Sequence, residues 1–279
     1  METRAPARRG GALETGLRIL EALAAGRTMG VTELSRRVGA DKANVYRLLK
    51  VLGASGYVRQ DDASKEYRPT ARLVALAGEI IHDMDLLTVV RPLMDALKEA
   101  TDESTHVSVP TDLGAIYVAQ KRNRGVSVDT EIGSISPLHA TACGKAIYAF
   151  LPAERWHALV PDPLPRYTMR TIESLSALER NFAQVRERGY AIDDEELEVG
   201  VRCIAAPIFD MHGEVIGALG VSGAATRVTL DRVESLATLV MEFTGRATLE
   251  LGGRSPLDAG GRGWSGLLED PIPRTGRFV

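Results

Sequence analysis

A run of hydrogen-bond donors follows Asp41, which is a suitable N-cap for a helix over residues 41–53. The apolar residues of this segment recur at three- and four-residue spacing and would share one helix face. Five donor side chains lie off that face, namely Lys42, Asn44, Tyr46, Arg47 and Lys50. Such side chains reach base edges and phosphates when a helix lies in the major groove of DNA. The pattern therefore predicts a DNA-reading helix.

Two short extended segments come next along the chain. Residues 57–60 and 67–69 flank the polar turn 61–66, a pattern typical of a β-hairpin. Positive charge on this hairpin comes from Arg59, Lys65 and Arg68. We expect these three side chains to meet the DNA backbone or the minor groove.

A second possible site begins at Cys143-Gly144-Lys145. A phosphate loop would need glycine five residues before the Gly-Lys pair, and His139 stands there instead. The segment does open a predicted helix, whose first amides could bind an anion. The amides of Ala142 and Cys143 could thus hold a ligand carboxylate, although an ordinary buried helix start would look the same.

The densest acidic run covers residues 193–196. Two of its carboxylates together with His139 could perform acid–base chemistry in an enzyme, or the run could be a solvated turn. The five histidines show no metal-ligand spacing, and Cys143 and Cys203 are far apart with no CxxC pattern. We therefore expect no metal, no cofactor and no disulfide framework.

The elements that must position these residues divide into a head and a body. The first head helix begins near Leu13, with an apolar stripe formed by Leu13, Leu17, Leu20 and Ala24. The second covers residues 31–38 and would bury Leu34 and Val38. Three helices and a hairpin within residues 13–70 indicate a winged helix-turn-helix, although a small helical bundle with an incidental hairpin would fit the same pattern.

A fourth helix, over residues 71–85, follows the N-cap Thr70 and would link head to body. Its apolar stripe needs a covering surface, for which a second copy of the chain is the simplest choice. Residues 86–251 alternate predicted strands with predicted helices. The strands are at 105–109, 115–121, 127–132, 190–193, 202–209 and 215–222. The helices begin near Pro92, cover 140–150, 152–159 and 175–188, and begin again at 230. This pattern indicates an α+β domain with a mainly antiparallel sheet. Residues 1–12 are predicted to be a flexible arm and residues 252–279 a disordered tail.

Charge is distributed unevenly along the chain. Residues 1–72 carry 14 Lys and Arg against 8 Asp and Glu, although the net charge of the whole chain is −3. A basic head on an acidic body is typical of nucleic-acid binding, although a well-solvated surface gives the same excess. No apolar stretch approaches the ~20 residues of a membrane span, and no hydrophobic segment follows the basic N-terminus. We therefore expect a cytoplasmic protein.

The chain resembles the IclR family of bacterial transcription regulators over about residues 10–251. The head matches in VTELSRRVGADKANVYRLLKVLGASGYV, followed by a wing that ends in YRPT. The body matches in SPLHATACGKAIYAFLP, RGYAIDDEELEVGVRCIAAPIFD and GEVIGALGVSG. The resemblance implies a winged-helix head, a linker helix and a GAF-like effector-binding domain. It also implies dimers, often paired into tetramers, that bind operator DNA.

The resemblance also implies an effector site. Family members that bind small carboxylates use the positions of Ala142 and Cys143, and the positions of Asp193, Cys203 and Ser222 face the effector. A serine of the family pattern is replaced by Gly220 here, which removes one hydroxyl. Because Asp193 would repel a bare carboxylate, we expect it to face a hydroxyl or hydrated carbonyl end. We expect Glu195, Glu196 and Arg202 to be structural or interface groups.

These observations predict a transcription regulator whose head binds a palindromic operator and whose body binds a small metabolite. The resemblance to the family favours a repressor over an activator. The loss of a hydroxyl at residue 220 favours an organic acid with an aromatic or branched body. Two alternatives are an enzyme that uses the acidic run 193–196 and a DNA-binding protein whose pocket no longer senses a ligand.

Overall fold

The structure, a computed structural model of the chain, describes residues 11–24, 28–82, 85–123 and 131–256. The chain divides between residues 83 and 84 into two compact units, which we call the head and the body. Residues 1–10 of the predicted arm and 257–279 of the predicted tail lie outside the described residues. None of the described helices is both long enough and apolar enough to cross a membrane.

The head has the predicted three helices and hairpin. Its elements are α1 (Ala12–Ala24), α2 (Val31–Val38), α3 (Lys42–Ala54), β1 (Val58–Gln60) and β2 (Tyr67–Pro69), and the two strands are antiparallel. Gly39, with φ of 66°, ends α2 in the left-handed region that favours glycine. Asp41 begins α3 by accepting a hydrogen bond from the Asn44 amide at 2.9 Å. The tight connection between α2 and α3 completes a helix-turn-helix, and the hairpin forms its wing.

The buried face of α1 differs from the prediction. Leu13 is 78% exposed and Leu17 is 51% exposed, whereas Ile19 and Leu23 are fully buried with the core residues of α2 and α3. Both stripes have helical spacing, and a helix that packs on one side buries only one of them. The sequence pattern therefore located the helix correctly, although the stripe that indicated it is not the face that packs in the core.

The predicted linker helix is α4 (Ala71–His82). The Thr70 hydroxyl accepts a hydrogen bond from the Arg72 amide at 3.3 Å, which satisfies one amide of the first turn. Val74 is 73% exposed and Leu76 is 45% exposed within the head. Val74 lies outside the predicted apolar stripe, which consists of Leu73, Leu76, Ala77, Ile80, Ile81 and Met84. The side chains of residues 78–84, which include the last three of these, lie outside the described residues.

The body contains a six-stranded antiparallel sheet with the order β5-β4-β3-β8-β7-β6. Its strands are β3 (Ser104–Thr111), β4 (Gly114–Lys121), β5 (Ile135–Ser136), β6 (Ala191–Asp194), β7 (Val201–Phe209) and β8 (Val215–Ala224). Its helices are α5 (Asp85–Thr101), α6 (Ala142–Tyr148), α7 (Ala153–His157), α8 (Leu175–Arg188) and α9 (Val233–Glu250). Helices α5 and α9 pack on one face of the sheet, and α6, which contacts α8, packs on the other.

Two body elements differ from the prediction. The helix expected to begin near Pro92 begins at Asp85, because the buried apolar residues of α5 continue on both sides of the proline. Pro92 has no amide for the carbonyl four residues earlier, so the helix spans it with one hydrogen bond fewer. The strand predicted over 127–132 can be checked only at residues 131–132, because residues 127–130 lie outside the described residues. Residues 131–132 are not in a strand and lead into a turn. The partner of β4 on this side is instead β5.

The first residues of the predicted tail lie against the body. The Gly253 amide donates to the Thr248 carbonyl at 2.7 Å, and the Arg254 amide donates to the Asp210 carbonyl at 3.1 Å. A Cβ atom on Gly253 would lie 2.2 Å from the carbonyl oxygen of Phe209, so only glycine fits this approach. The expectation of disorder from residue 252 is therefore wrong for residues 252–256, since backbone hydrogen bonds hold a segment that lacks an apolar stripe.

Candidate functional site

The eight candidate DNA-binding side chains all lie on α3 and the hairpin of the head. Seven are exposed, namely Lys42, Tyr46, Arg47, Lys50, Arg59, Lys65 and Arg68, and Asn44 is half-buried. The opposite side of α3 is anchored in the head core by Val45, Leu48 and Leu49. Core packing on one face therefore leaves the polar face of α3 free to meet a ligand.

Two contacts orient donors along α3. Arg47 donates to the Asn44 side-chain oxygen at 3.0 Å, and the Lys50 ammonium lies 5.3 Å from the centre of the Tyr46 ring. Within the described part of the chain, no carboxylate forms an ion pair with any of the candidate Lys and Arg side chains of the head. Their charges are therefore available to phosphate groups.

The hairpin places two positive charges directly opposite each other. Arg59 on β1 pairs with Arg68 on β2 in the strand register, and like charges at paired positions repel. The turn between them is organised by Asp61, whose carboxylate accepts hydrogen bonds from the Ser64 amide and hydroxyl and the Ala63 amide. These hydrogen bonds lower the pKa of Asp61, Ser64 contributing most. A negative partner between the two arginines would relieve their repulsion.

Strand pairing brings candidate effector-binding residues of the body into one row. Asp193 of β6 lies opposite Cys203 of β7, and Cys203 lies opposite Ser222 of β8. Paired residues point to the same face of a sheet, here the face covered by α6. Ser222 in turn opposes Ser104 of β3, so His106, two residues along, lies on this face too.

A small cavity lies between this row and the start of α6. Its walls contain four of the five predicted residues, Ala142, Asp193, Cys203 and Ser222, together with His106, Tyr117, Thr141, Leu197, Glu198 and Val201. Cys143 does not line it, because its thiol lies 3.9 Å from the Ala218 carbonyl in the apolar core. The cavity has a volume of about 10 Å³, which is room for about one water molecule. An organic acid can enter only if the walls move.

The start of α6 is tightly packed against the segment before it. The Thr141 hydroxyl accepts a hydrogen bond from the Gly144 amide at 3.1 Å, which leaves the earlier amides of Ala142 and Cys143 without a partner from this cap. A Cβ atom on Gly144 would lie 2.6 Å from the Leu138 Cα atom. Glycine therefore sets the close approach that brings the Ala142 backbone to the cavity.

Asp193 is a buried carboxyl group in the cavity wall. Its Oδ1 atom accepts hydrogen bonds from the amides of Glu196, at 2.8 Å, and Leu197, at 3.4 Å. Burial raises the pKa of Asp193 from 3.8 to about 7, against the opposing effect of Lys145. Near neutral pH this group is therefore part carboxylate and part acid. The acid form can donate to a ligand carboxylate, so the expected repulsion of a bare carboxylate is weaker than the sequence suggested.

A buried ion pair fixes the turn that follows β6. Lys145 on α6 is fully buried, and its Nζ atom lies 2.5 Å from Glu196 Oε1. The Glu196 carbonyl accepts hydrogen bonds from the hydroxyls of Thr168 and Thr171. A buried lysine requires a partner, so this contact ties α6 to the cavity turn. In the sequence, Lys145 stands out only as part of a phosphate-loop pattern, and its carboxylate partner is 51 residues away.

The remaining charged groups around this turn have structural partners, as expected. Arg202 donates to Asp194 Oδ1 at 2.7 Å and to the Ala225 carbonyl at 3.2 Å. Glu195 accepts a hydrogen bond from the Gly200 amide at 2.9 Å. These contacts hold the segment between β6 and β7, and they leave Asp193 as the carboxyl group of the run that faces the cavity.

His139 and Asp193 do not meet in one site. His139 lines a separate cleft with Pro165 and Tyr167, and its Nε2 atom lies 2.8 Å from the Pro165 carbonyl oxygen. Asp193 belongs to the cavity beside β8. Among residues 11–24, 28–82, 85–123 and 131–256, no group of three His, Cys, Asp or Glu side chains could hold a metal ion.

His106 is a cavity residue that the sequence analysis missed. It is 2% exposed, and its Nδ1 atom has no hydrogen-bond partner, like the Oγ atom of Ser222. Burial lowers the pKa of His106 to about 4, so its ring is uncharged near neutral pH. The sequence places His106 in a predicted strand. To place it in the cavity one must also know that β3 pairs with β8, which no local sequence pattern shows.

Comparison with known proteins covers both units. Residues 12–62 match the model of the IclR helix-turn-helix domain. Residues 78–247, more than half of the chain, match the model of the bacterial transcriptional regulator IclR C-terminal domain. The chain belongs to the IclR family.

Similar IclR-family proteins regulate transcription. The chain is 34% identical over 224 residues to the transcriptional regulator KdgR of Escherichia coli K12, covering 80% of this chain and 85% of the relative. It is 35% identical over 234 residues to the repressor AllR of Salmonella typhimurium LT2, covering 83% and 86%. It is 33% identical over 242 residues to the repressor IclR of E. coli K12, covering 85% and 88%. The chain is a DNA-binding transcription regulator, not an enzyme.

Solved IclR-family structures share its fold. IclR of Thermotoga maritima is 25% identical with a TM-score of 0.66, covering 86% of this chain and 98% of that one. An IclR homolog of Microbacterium hydrocarbonoxydans, solved in complex with 4-hydroxybenzoate, is 22% identical with a TM-score of 0.74, covering 86% and 99%. The second likeness concerns the fold alone.

Proposed function

We propose that this IclR-family regulator represses transcription from a palindromic operator and that a small organic acid modulates its binding. Its parts are a winged helix-turn-helix over residues 13–70, a linker helix over 71–85 and an effector-binding domain over 86–251. The observation that carries the effector role is a cavity whose wall holds two buried polar atoms without partners, Ser222 Oγ and His106 Nδ1. The relatives named as repressors support repression.

In the head, the proposal assigns base reading to α3 and backbone contacts to the wing. Lys42, Asn44, Tyr46, Arg47 and Lys50 provide the donors on α3. Arg47, oriented by Asn44, suits the bidentate contact that arginine makes with guanine. The opposed pair Arg59 and Arg68, with Lys65 at the turn, suits a phosphate, because one anion would screen the repulsion between the two guanidinium groups.

In the body, the proposal assigns one carboxylate of the effector to the donors around the cavity. Ser222, the Ala142 amide and the acid form of Asp193 can each donate to it. Tyr117, Cys203, Leu197 and Val201 provide apolar wall surface, which suits an aromatic or branched body. Cys143 stays in this assignment through its amide only, since its thiol lies outside the cavity.

Binding of such an acid needs an expanded cavity. Leu197 and Glu198 form part of the wall and belong to the turn between β6 and β7, where Glu198 is exposed. We assign the expansion to residues 197–199 of this turn, because Glu196 before them is held by Lys145 and the residues on the sheet are fixed by strand pairing, whereas Val199 is 75% exposed. An acid that prefers the expanded form changes the population of that form, and equal affinity for both forms would change nothing.

The apolar side chains left exposed on the head suit a second copy of the chain. Leu13 and Leu17 of α1 and Val74 and Leu76 of α4 are exposed within one head. We assign a dimer to the head and linker helix and a tetramer to contacts between bodies, in the cytoplasm with the DNA. Two heads would read the two halves of a palindrome.

Selection from a random DNA pool, followed by anisotropy titration of the selected duplex, tests the operator function. Calorimetry with 4-hydroxybenzoate, phenylacetate, 2-oxoisovalerate and pyruvate tests the effector function, and each titration is repeated with operator present. We expect one saturable acid site, no reaction product and a changed operator affinity. A sequence-independent affinity for DNA would refute the operator function, and a parent protein that binds none of the acids would indicate a cavity that does not sense them.

A further inference from the structure

The His106 ring is held in place by a glycine and a tyrosine. Strand register places His106 opposite Gly220, and a Cβ atom on residue 220 would lie 3.0 Å from His106 Nε2. The same Cβ atom would lie 2.8 Å from the Ile204 carbonyl oxygen. The ring also packs edge-to-face against Tyr117, with centroids 5.6 Å apart and an interplanar angle of 71°. A side chain at residue 220 would therefore crowd both the β7 backbone and the imidazole, and glycine leaves room for the ring at this position.

This arrangement leaves two buried polar atoms open to a ligand. His106 is 2% exposed and Ser222 is 1% exposed, and neither His106 Nδ1 nor Ser222 Oγ has a hydrogen-bond partner. Both residues line the same cavity, and Ser222 occupies the next same-face position along β8 from Gly220. Leaving a buried polar atom unpaired is unfavourable, so two in one wall point to a bound partner.

The chemistry of the ring limits what that partner can be. The ring is buried and neutral, and no carboxylate forms an ion pair with it in the described part of the chain. A neutral imidazole exchanges a hydrogen bond with a hydroxyl or carbonyl oxygen, and it supplies no charge to neutralise a second carboxylate. The hydroxyl that Gly220 lacks is therefore replaced in the wall by a different polar group, which corrects the expectation of a less polar site.

We propose that His106 is a specificity-determining residue: its Nδ1 atom hydrogen-bonds an uncharged oxygen of the effector, a hydroxyl or carbonyl separate from the carboxylate. The proposal rests on the effector role assigned to this cavity above. It narrows the effector from any small organic acid to a hydroxy or oxo monoacid. Plain acids and diacids bind less well, because the first leave Nδ1 unpaired and the second bring an uncompensated charge.

Matched pairs of acids test this assignment by calorimetry. The pairs are 4-hydroxybenzoate with benzoate, and mandelate with phenylacetate, so each differs by one hydroxyl. We expect the parent protein to bind the hydroxy member of at least one pair about tenfold or more tightly, as one buried hydrogen bond predicts. His106→Leu removes both ring nitrogens at similar volume and should abolish this preference. His106→Asn keeps a polar group near the position of Nδ1 and should retain part of it.

His157→Leu is the matched control, because it removes a half-exposed histidine of the body that does not line the cavity. It should leave the preference unchanged. Equal affinity of the parent for both members of each pair, or a preference that survives in His106→Leu, would overturn the assignment and leave the effector function standing. If the parent binds no acid in any pair, the assignment and the effector function both fail.

A measurement on the unsubstituted protein covers the case in which His106→Leu does not fold. With 15N-labelled histidine, the ring nitrogens of the buried neutral His106 give signals distinct from those of exposed histidines, and His106→Asn identifies them. We expect the hydroxy acid to shift the Nδ1 signal and the matched plain acid to leave it unchanged. Identical spectra with both acids would remove the proposed hydrogen bond.

Discussion

At the scale of single residues, burial separates the charged groups of the head from those of the body. The head cations Arg47, Arg59 and Arg68 are exposed and have no carboxylate partner among the described residues. Exposed cations add little to folding stability and are free to bind phosphate. In the body, Lys145 and Asp193 are buried, so their contacts depend on the packing around the cavity. The first set can change affinity for DNA, and the second can respond to a ligand.

Arg47→Ala separates base reading from backbone binding. If Arg47 contacts a base, its loss should weaken operator binding by about 1–3 kcal/mol and relax the preference for one base pair. Anisotropy titrations of operator and random duplexes at several salt concentrations measure both effects.

Arg59→Ala on the wing is the matched comparison for Arg47→Ala. It should weaken binding to operator and random DNA alike, and it should reduce the slope of affinity against salt by about one. An Arg47→Ala protein that binds both duplexes with the parent's affinities would exclude α3 as the reading helix.

Asp193 predicts a pH dependence of stability with a definite sign. Its pKa is about 7 in the folded chain and 3.8 as the ordinary value, mainly because of burial. Between these values the folded chain keeps a proton that the unfolded chain loses, so Asp193 destabilises the fold increasingly as pH rises from about 4 to 7. The loss of folding free energy from this effect is at most about 4 kcal/mol.

Asp193→Asn keeps an acceptor for the Glu196 and Leu197 amides and removes the titration. Thermal melts should show this variant gaining stability over the parent between pH 5 and pH 8. Asp194→Asn, the neighbouring control, breaks the ion pair with Arg202 and should instead lower the melting temperature at pH 8. A difference between Asp193→Asn and parent that stays constant across this range would show that Asp193 does not titrate there.

At the scale of elements, the sequence predicted what depends on local pattern. Helix α8 has the predicted bounds, since Ser174 caps its first turn and Gly189 ends it in the left-handed region. The position of helix α1 was predicted, but the apolar stripe that indicated it is not its buried face. Leu13 and Leu17 have the same helical spacing as the stripe that packs in the core. The start of α5 was predicted wrongly at Pro92. The helix continues through the proline, because burial of apolar residues on both sides outweighs the loss of one hydrogen bond.

The candidate effector site also shows that local sequence patterns do not reveal long-range contacts. Asp193, Cys203 and Ser222 were found through a family resemblance, and strand register explains why they share a face. His106 and Lys145 were missed because their partners are far along the chain: Gly220 lies opposite His106 only through β3–β8 pairing, and Glu196 reaches Lys145 across a turn. Long-range contacts of this kind leave no periodic signal.

The end of the body gives a prediction at this scale. A chain that stops after residue 256 keeps the hydrogen bonds from Gly253 to Thr248 and from Arg254 to Asp210, and it should melt like the full chain. A chain that stops after residue 251 loses both, which should lower the free energy of unfolding of the body by about 1–3 kcal/mol. Equal midpoints for the two truncated chains in urea would show that residues 252–256 contribute nothing to folding.

At the scale of the whole molecule, a basic head and an acidic body divide the work of the regulator. The net charge of −3 hides an excess of positive charge in residues 1–72. That excess favours encounter with DNA, and the acidic remainder disfavours binding of DNA along the body. An effector changes operator affinity only through a difference in its own affinity for two forms of the protein. In our proposal, movement of residues 197–199, which follow the Glu196 held by Lys145, provides such a difference.

The last prediction concerns assembly through the head. Leu17 of α1 and Val74 of α4 are 51% and 73% exposed in one head, and exposed apolar side chains of this kind favour a covering partner. Leu17→Glu and Val74→Glu should each dissociate the dimer at micromolar concentration without unfolding the head, because neither side chain belongs to its core. Met211→Glu changes an equally exposed side chain on the β7–β8 turn of the body and should leave the head dimer intact.

Sedimentation equilibrium measures the mass of each variant, and circular dichroism checks its fold. If, as we propose, each head reads one half-site, the two head variants should also lose operator affinity. A parent chain that sediments as a monomer, or head variants that remain dimers, would contradict this interface.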